Sequence, residues 1–457
     1  MSDKIITIDP ATGKDIATYE AYDEKKVSNA LKTAQKTFEE WRKLPLKERG
    51  MILKNIAAEL RKEKEKLARL ATKEMGKPIQ QSRDEVEKCA KCLEFYAKEG
   101  AKFLANEMVE TDAKKSYVAF QPLGVVLAIM PWNFPYWQVF RAMAPAVMAG
   151  NVMVLKHASN VSGCALAIEK VIKNAGAPKG LFHTFILPSS RIEKLIDDNA
   201  IAAVTFTGST AAGSKVASAA GRNLKKQVLE LGGSDAYVIL EDADMDKAIE
   251  ICVRGRLVNS GQSCVSAKRF IVVKSIRKEF ERRMVQEMSA ATYGDGMDES
   301  SRIGPMARAD LRDQLHEQVV KSVDKGAKLL CGGFIPDMQG AYYPPSVLTN
   351  VKKGMPAYDE ELFGPVAAII EAKDETDAIR IANDSIYGLG GGIISKNRAN
   401  AERLAVNELQ AGSCFVNDFV HSDPRLPFGG IKHSGYGREI GTFGIREFVN
   451  IKTVYIK

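Results

Sequence analysis

Gly124-Val-Val-Leu-Ala-Ile-Met130 is a continuous apolar run, and this stretch decides the fold. Such a run is typical of a β-strand that is buried on both faces of a parallel sheet. It ends in Pro131-Trp-Asn-Phe-Pro135, and a predicted helix follows through Met148. The chain then continues to alternate, with a strand at Val152–Leu155, a helix at Cys164–Asn174, a strand at Phe182–Leu187, a further helix and a strand at Ala203–Thr207. This alternation predicts a doubly wound α/β domain.

A second alternating region begins after Gly233. Helices such as Ala248–Val258 and Glu375–Ala382 separate its predicted strands. These strands are Ala236–Leu240, Phe270–Val273, Lys328–Leu330, Val366–Glu371, Gly391–Ile394 and Ser413–Val416. We therefore predict a second α/β domain.

The segments outside these two regions have other patterns. Apolar residues recur at helical spacing between Val27 and Gly100, with Lys, Arg and Glu between them, which predicts helices. Met108–Ala119 alternates around a polar centre and indicates a hairpin. Phe448–Ile456 alternates as a strand, and we predict that it pairs with that hairpin or with another subunit.

Ligands of doubly wound sheets bind beyond the carboxyl ends of the strands, so the residues that follow each strand are the first candidates. In the first domain these are Asn133, Lys156 and the loop Gly208-Ser-Thr-Ala-Ala-Gly213. Small residues ahead of a helix allow the backbone to approach a phosphate group. The glycine spacing does not match G-x-G-x-x-G, so a plain strand-to-helix turn is an equally good interpretation of this loop alone.

Cys264 occupies a comparable position in the second domain. Gly261-Gln-Ser-Cys264 indicates a close turn, because glycine can adopt dihedrals that other residues avoid. The β-branched run Arg269–Lys274 follows and predicts a strand that anchors the turn. Cys264 is therefore a candidate for a presented nucleophile. A buried structural cysteine is the alternative when the residue is considered alone.

The composition narrows the class of protein. The 457 residues are 45% hydrophobic and 27% charged, as in ordinary globular proteins of two or three domains. The net charge of +8 arises from 65 basic and 57 acidic residues, a mixed surface that argues against a nucleic-acid partner and favours small anionic ligands. We see no apolar run of membrane-spanning length and no secretory pattern, so we expect no membrane association and a cytoplasmic location.

The cysteine and histidine content predicts neither disulfides nor a metal. Seven scattered cysteines are too few and too irregular for a disulfide framework. Cys89-Ala-Lys-Cys92 has a C-x-x-C spacing, but it lies in a Lys/Glu-rich helical pattern without a second pair. Five histidines form no cluster with ligand-like spacing. We therefore predict no metal site.

Six motifs occur together in the order and approximate spacing of one family. They are Pro131-Trp-Asn-Phe-Pro135, Phe206-Thr-Gly-Ser-Thr210, Leu229-Glu-Leu-Gly-Gly233, Gly261-Gln-Ser-Cys264, Glu361-Leu-Phe-Gly-Pro365 and Pro427-Phe-Gly-Gly430. On these motifs the chain resembles the aldehyde dehydrogenase superfamily over nearly its whole length, and within it the succinate-semialdehyde dehydrogenases.

The resemblance implies the fold of that superfamily, with a Rossmann-like cofactor domain, an α/β catalytic domain and a small β oligomerisation element. It assigns residues 1–104 and 123–232 to the cofactor domain and residues 233–438 to the catalytic domain. Residues 105–122 and 439–457 form the oligomerisation element, so we expect a homodimer or homotetramer.

The resemblance also implies that the enzyme oxidises an aldehyde, with succinate semialdehyde as the expected substrate and with catalytic residues Cys264, Asn133 and Glu230. A thiolate at Cys264 would add to the aldehyde, and hydride loss to a nicotinamide would leave a thioester. The Asn133 amide and the Cys264 backbone N–H would stabilise the oxyanion. Glu230 lies between Leu229 and Leu231, a setting that raises proton affinity and suits a base that activates water. A buried salt bridge is the alternative role for Glu230.

For the cofactor, the resemblance places Gly208 and Ser209 at the pyrophosphate, Glu361 at the nicotinamide ribose and Phe363 against the nicotinamide. It also assigns Trp132 to this site and Lys156 to the adenosine ribose. Many relatives that use NAD carry a glutamate where this chain has Ser159. Without that negative charge, Ser159 and Lys156 can accept a 2′-phosphate, so we predict that NADP is preferred and that NAD is a second cofactor.

For the substrate, we predict that Trp137, Arg141, Ser263 and Ser422 hold the carboxylate of succinate semialdehyde. A structural ion pair is the alternative role for Arg141. Many relatives have a lysine linked to proton relay where this chain has Ala142, which leaves the proton exit route open. Ser266 replaces a cysteine that in some relatives forms a disulfide with the nucleophile.

Other functions are weighed against this one. The chain could act on another small aldehyde. It could also be a CoA-acylating aldehyde dehydrogenase, but such an enzyme transfers the acyl group to CoA and does not need Glu230 as a base for hydrolysis. A cysteine hydrolase would work without nicotinamide, but no His/Asn pattern supports it. A catalytically silent binding protein is disfavoured because Cys264, Glu230 and Asn133 are all present.

Overall fold

The computed structural model describes residues 4–457, and its N-terminal part forms a small hairpin and a helical layer. The helices predicted between Val27 and Gly100 are confirmed. In α1, the apolar residues Leu31, Phe38 and Trp41 are buried on one face. The elements are β1 (Lys4–Ile8), β2 (Asp15–Glu20), α1 (Glu24–Trp41), α2 (Leu46–Lys62), α3 (Lys64–Met75), α4 (Ile79–Phe103), β3 (Glu107–Met108) and β4 (Lys115–Pro122).

The first parallel sheet follows with the predicted alternation. Its elements are β5 (Val125–Met130), α5 (Trp137–Ala149), β6 (Val152–His157), α6 (Ser162–Asn174), β7 (Phe182–Thr184), α7 (Ile192–Asp197), β8 (Ile201–Thr207), α8 (Thr210–Arg222) and β9 (Lys226–Glu230). The strands lie in the order β9-β8-β5-β6-β7 and are parallel. Every residue of β5 and β6 is buried, which explains their continuous apolar sequences.

The second sheet is also mostly parallel, with the strand order β12-β13-β14-β11-β10-β15-β16. Its edge strand β12 is antiparallel to β13. The elements are β10 (Ala236–Ile239), α9 (Met245–Leu257), β11 (Arg269–Val273), α10 (Arg277–Ala290), α11 (Ala309–Asp324), β12 (Lys328–Cys331), β13 (Ser346–Thr349), α12 (Pro356–Asp359), β14 (Val366–Ala372), α13 (Glu375–Asn383), β15 (Gly390–Ile394), α14 (Arg398–Asn407) and β16 (Ser413–Val416).

The C-terminal segment returns to the first half of the molecule. It contains β17 (Gly435–Tyr436), α15 (Gly441–Ile445) and β18 (Val449–Ile456). β17 pairs antiparallel with β9 and so extends the first sheet to six strands. The predicted boundary at residue 438 assigned β17 to the second domain, and its pairing with the first sheet departs from that boundary. The other domain boundaries remain predictions.

The predicted pairing of the tail with the hairpin is confirmed. β18 pairs with β4 from Val449↔Pro122 to Ile456↔Lys115, and β3 pairs with the other side of β4. These strands form a separate three-stranded antiparallel sheet. Among residues 4–457, no helix is both long and apolar enough to cross a membrane.

Five strands are absent from the prediction: β1, β2, β9, β13 and β17. β9 and β13 are only 5 and 4 residues long, and β17 has 2 residues, so none of them displays a clear periodicity. β9 is the most consequential omission, because Glu230 is its last residue. Its parallel pairing with β8 places Glu230 beside Thr207, at the carboxyl edge of the first sheet.

Candidate active site

The segment before Cys264 forms the close turn that the sequence predicts. α9 ends at Leu257, and Asn259, Ser260 and Gly261 then adopt left-handed φ angles of 55°, 55° and 75°. A Cβ atom on Gly261 would lie 2.3 Å from the carbonyl carbon of Gly364, so only glycine fits there. The Glu361–Pro365 motif therefore packs directly against the turn that presents the cysteine.

Lys268 fixes the backbone at the nucleophile. Its Nζ donates hydrogen bonds to the carbonyl oxygens of Ser263 at 2.9 Å and Cys264 at 2.7 Å, and it also forms a 3.2 Å ion pair with Glu361. A Cβ atom on Gly233 would lie 2.7 Å from the Cys264 carbonyl oxygen. Gly233, Cys264 and Glu361 belong to three different motifs. Gly233 approaches the Cys264 carbonyl directly, and Glu361 is linked to it through Lys268.

Asn133 lies beside the same turn. Its Nδ2 donates to the Gln262 carbonyl at 3.1 Å, and Asn259 Nδ2 donates to the carbonyls of Gln262 at 2.9 Å and Asn133 at 2.7 Å. Asn133 is 4% exposed. The structure therefore brings Asn133 and the cysteine loop together, with Asn259 bridging their backbones.

A buried carboxylate holds the helix that follows Asn133. Glu85 Oε1 accepts hydrogen bonds from the backbone N–H groups of Tyr136 and Trp137, both at 2.8 Å, at the start of α5. Its other oxygen accepts from Lys77, whose Nζ lies 4.4 Å from the centroid of the Phe134 ring. A negative charge at a helix N-terminus stabilises that end, so Glu85 orients the loop that carries Asn133.

Glu230 is a buried carboxyl group without a fixed partner. Its side chain is 1% exposed, and neither carboxylate oxygen has a hydrogen-bond partner among residues 4–457. Burial raises the pKa of Glu230 well above its usual range, and the nearby negative charge of Glu439 adds to the rise. A raised pKa makes the carboxylate a stronger base, as general-base catalysis requires.

Glu439 forms an ion pair with Arg141, and both side chains are buried. Glu439 also accepts a 3.2 Å hydrogen bond from Thr205 Oγ1. The Arg141 guanidinium stacks 4.6 Å from the centroid of the Phe428 ring. The structural ion pair, which was the alternative role for Arg141, is therefore present, while Arg141 also lines the cavity described below.

The Cys264 thiol is half-buried and uncharged at rest. Burial raises its pKa to about 12, although the positive charges of Arg141 and Lys268 oppose the rise. The thiolate must therefore form by proton transfer when the substrate is in place.

A cavity of about 510 Å³ opens onto Cys264. It brings together the four residues that were predicted to bind the substrate, namely Trp137, Arg141, Ser263 and Ser422. Trp137 Nε1 donates to Ser422 Oγ at 3.0 Å, and Lys88 Nζ donates to the same oxygen at 2.9 Å. The cavity has the size of a small-molecule site with apolar walls and a few polar groups.

The predicted phosphate-binding residues share one edge of the first sheet. Ile129 of β5 pairs with Lys156 on one side and with Phe206 on the other, so the loops after β5, β6 and β8 end at the same level. Ser209 caps the 13-residue helix α8, where its Oγ accepts from Ala212 N at 3.4 Å and Gly208 precedes it. This edge offers helix N-terminal amides to an anion, as a pyrophosphate site requires.

Lys156 supplies a positive charge to this edge. Its Nζ donates to Ser189 Oγ at 3.3 Å, and burial lowers its pKa to about 8. Ser159 begins a short helical turn over residues 159–161, directly after β6. Both residues therefore lie at the carboxyl edge of the first sheet, and their contact with the adenosine ribose stays a prediction.

The predicted nicotinamide residues also meet. The rings of Trp132 and Phe363 pack edge to face with centroids 5.7 Å apart, although they come from different halves of the chain. Glu361 accepts a 3.1 Å hydrogen bond from the Gly233 backbone N–H. Two aromatic rings and a carboxylate thus come together, groups that can pack against a nicotinamide ring and accept from a ribose hydroxyl, and their contact with the cofactor stays a prediction.

Comparison with known proteins decides the family. The profile of the aldehyde dehydrogenase family matches residues 1–454 of the chain. The chain belongs to the aldehyde dehydrogenase family. This result confirms the family and the fold class that the sequence motifs predict.

Individual aldehyde dehydrogenases are similar over their whole length. A probable NADP(+) succinate-semialdehyde dehydrogenase of Synechocystis sp. is 47% identical over 99% of both chains. The NAD(P)+ succinate semialdehyde dehydrogenase Sad of Escherichia coli is 45% identical over 98% of this chain and 97% of its own. The crystal structure of the succinic semialdehyde dehydrogenase from Streptococcus pyogenes with NADP+ superposes with a TM-score of 0.97 at 38% identity, covering 99% of each chain.

Four residues of this site were not predicted from the sequence, namely Lys88, Glu439, Lys268 and Glu85. Lys88 and Glu85 lie in α4, whose Lys/Glu-rich pattern is typical of a solvated face. One face of α4 is nevertheless buried, and it carries Ser82, Val86, Cys89, Ala90 and Leu93. The helical spacing of these small and apolar residues could have indicated that this face is packed against the protein. Cys89 and Cys92 are buried free cysteines, and residues 4–457 contain no cluster suited to a metal.

Proposed function

We propose that this aldehyde dehydrogenase oxidises succinate semialdehyde to succinate, with NADP as its preferred cofactor and NAD as a second one. The observation that carries the proposal is a single cavity that joins Cys264 to an apolar wall and to the cations Lys88 and Arg141. A cavity of this composition fits a short aldehyde that ends in a carboxylate. The similar enzymes from Synechocystis sp., Escherichia coli and Streptococcus pyogenes carry this substrate in their names.

The reaction begins at Cys264. The thiol gives its proton to solvent water, and the resulting thiolate forms a bond to the aldehyde carbon while the C=O π bond breaks, so that the carbonyl oxygen becomes the oxyanion of a thiohemiacetal. Asn133 Nδ2 and the Cys264 backbone N–H are the proposed donors to this oxygen. Asn133 keeps its position because its peptide carbonyl accepts from Asn259 and because Glu85 holds the start of α5, the helix that follows it.

A bound nicotinamide would accept the hydride that leaves the thiohemiacetal carbon, and this loss converts the adduct into a thioester. Glu230 then takes a proton from water, whose oxygen attacks the thioester carbon and releases the carboxylic acid and the cysteine. The raised pKa of Glu230 gives the carboxylate the basicity that this step needs.

We propose Trp132, Lys156, Ser159, Gly208, Ser209, Glu361 and Phe363 as the residues that hold the dinucleotide. The preference for NADP rests on Ser159 and Lys156, because neither carries a negative charge that would repel a 2′-phosphate. Binding of that phosphate would hold Lys156 in its charged form, against the effect of burial on its pKa.

Ser159→Glu is expected to reverse the cofactor preference. The added carboxylate would repel the 2′-phosphate and accept from a ribose 2′-OH, so kcat/KM with NADP should fall about 10- to 100-fold. The value with NAD should stay within about threefold or rise. Steady-state kinetics with both cofactors check this expectation, and Ser159→Ala serves as the neutral control. An unchanged ratio of the two values in Ser159→Glu would contradict the assignment.

A panel of aldehydes, each measured with NADP and with NAD, tests the proposed function. We expect the highest kcat/KM for succinate semialdehyde with NADP, when reduction of the cofactor is followed by absorbance. A clearly higher value for a neutral aldehyde would overturn the substrate, and a clearly higher value with NAD would overturn the cofactor preference. A CoA-acylating reaction is disfavoured because Glu230 is a buried, unpaired base.

We also propose that the enzyme works in the cytoplasm as a homodimer or homotetramer that assembles through β4 and β18. The support is that β18 is paired on one side alone among residues 4–457 and carries the exposed apolar residues Ile451 and Tyr455. A long, exposed edge strand of this kind readily pairs with another chain. Light scattering on the purified enzyme should therefore give at least twice the monomer mass.

A further inference from the structure

The substrate cavity contains a cation that the sequence analysis did not consider. Lys88 extends from α4 into the cavity that Cys264 also lines. Its Nζ donates to Ser422 Oγ at 2.9 Å and lies 4.3 Å from the centroid of the Trp137 ring. Among residues 4–457, no carboxylate lies within ion-pair distance of Lys88, so the direct contacts of its ammonium group are a hydroxyl and an aromatic face.

Arg141, a second cation that lines the cavity, is already paired with a carboxylate. Arg141 forms its buried ion pair with Glu439, and its guanidinium stacks on Phe428. An arginine engaged in this way has less charge to offer a second carboxylate than an unpaired lysine. Breaking the pair would also leave Glu439 buried and uncompensated.

We propose that Lys88, together with Ser422, binds the carboxylate of the acidic aldehyde and determines the specificity of the enzyme for it. This inference rests on the proposed function, because it assigns the residue that recognises the charged end of that substrate. The carboxylate would accept from Lys88 Nζ and Ser422 Oγ, which are already adjacent, while the aldehyde end reaches Cys264. The contact of Arg141 with the carboxylate remains a prediction, with Arg141 acting from within its pair with Glu439.

The remaining charged groups that line the cavity have other contacts. Glu85 is bound to Lys77 and to the start of α5. Asp418 accepts from the Phe419 backbone N–H, and Arg254 stacks on the Phe419 ring. The other titratable groups that line the cavity are Asp84, Cys264 and His421. Lys88 is thus distinguished by a charged tip that contacts only a hydroxyl and an aromatic face.

Burial of Lys88 supports the assignment. Burial and, to a smaller extent, the positive charge of Arg141 lower the pKa of Lys88 to about 8, while Glu85, Cys89 and Cys92 oppose the change. A carboxylate that binds beside Nζ would relieve this penalty, because an opposite charge favours the protonated amine.

Lys88→Met and Lys88→Arg test the proposal with two aldehydes of equal length, succinate semialdehyde and butanal. Lys88→Met keeps a similar shape without the charge, so KM for succinate semialdehyde should rise about 10- to 100-fold. KM for butanal should change by less than about threefold, because butanal has no carboxylate. Lys88→Arg should recover most of the preference for the acidic aldehyde.

Arg254→Met is the matched control, since it removes a cation from the same cavity at a site that does not contact Ser422. It should leave the ratio of the two KM values within about threefold of the parent. The proposal is overturned if Lys88→Met raises both KM values equally or neither, or if Arg254→Met has the same selective effect. A parent enzyme with equal KM values for both aldehydes would instead overturn the proposed function together with this inference.

The pH dependence of the parent enzyme provides a test that requires no variant. Lys88 binds the carboxylate only when protonated, so KM for succinate semialdehyde should rise with pH above about 8 and approach a tenfold rise per pH unit. KM for butanal should not show this rise. Titration of Cys264 affects both aldehydes, so the ratio of their KM values isolates Lys88. A ratio that stays constant from pH 7 to 10 would overturn the proposal.

Discussion

Cys264→Ser is expected to lower the rate of acid formation by about 10⁴-fold or more. A serine hydroxyl is a far weaker nucleophile than a thiolate. Among residues 4–457, His421 is the one histidine that lines the cavity, and it is exposed, with its Nδ1 at the Phe419 carbonyl oxygen. Cofactor reduction in the presence of succinate semialdehyde measures this rate.

Cys331→Ser is the matched control for that experiment. Cys331 is also a free, half-buried cysteine, but it lies in edge strand β12, away from the cavity. Its replacement should leave the rate unchanged within about twofold. Binding of NADP, followed by protein fluorescence, should persist in both variants. Parental activity in Cys264→Ser would refute the covalent mechanism.

Glu230→Gln is expected to separate the two halves of the reaction. Without the base, hydrolysis of the thioester slows, so kcat should fall about 10²- to 10⁴-fold. Acylation of Cys264 should still occur, and each enzyme molecule should reduce about one cofactor in an initial burst. Rapid-mixing absorbance measures the burst and the steady rate together.

The amplitude of the burst shows which step Glu230 serves. Glu110→Gln, in the loop between β3 and β4, removes a carboxylate from an exposed site and should retain the parental steady rate. Loss of both the burst and the steady rate in Glu230→Gln would mean that Glu230 is needed before the thioester forms. That outcome would contradict its assignment to hydrolysis.

The two parallel sheets could be predicted because their central strands are buried on both faces. Every residue of β5, β6 and β11 is buried, and such strands have continuous apolar sequences. β17 could not be predicted in this way, because a strand of 2 residues has no period. Its position depends on its pairing with β9, a contact between residues more than 200 positions apart.

The proposed catalytic residues could be selected from the sequence because each lies in a local motif with a chemical role. Cys264 and Asn133 follow this rule, and the structure brings them together. Lys88 and Glu439 lie in no such motif, and their proposed roles depend on contacts with residues that are distant in the sequence. Lys88 appears in a Lys/Glu-rich helix, and its role emerges only when Ser422 and Trp137 surround its tip. Likewise, Arg141 alone does not reveal Glu439 as its partner.

The return of the C-terminal segment has a consequence for biosynthesis. β17 completes the first sheet, Glu439 neutralises Arg141, and β18 pairs with β4. During translation, the residues up to about 430 leave the ribosome without these three contacts. Until the C-terminal segment has been made, the first sheet has an open edge at β9 and Arg141 lacks its ion-pair partner Glu439. We therefore expect the active site to be completed only after the C-terminal strands have been synthesised.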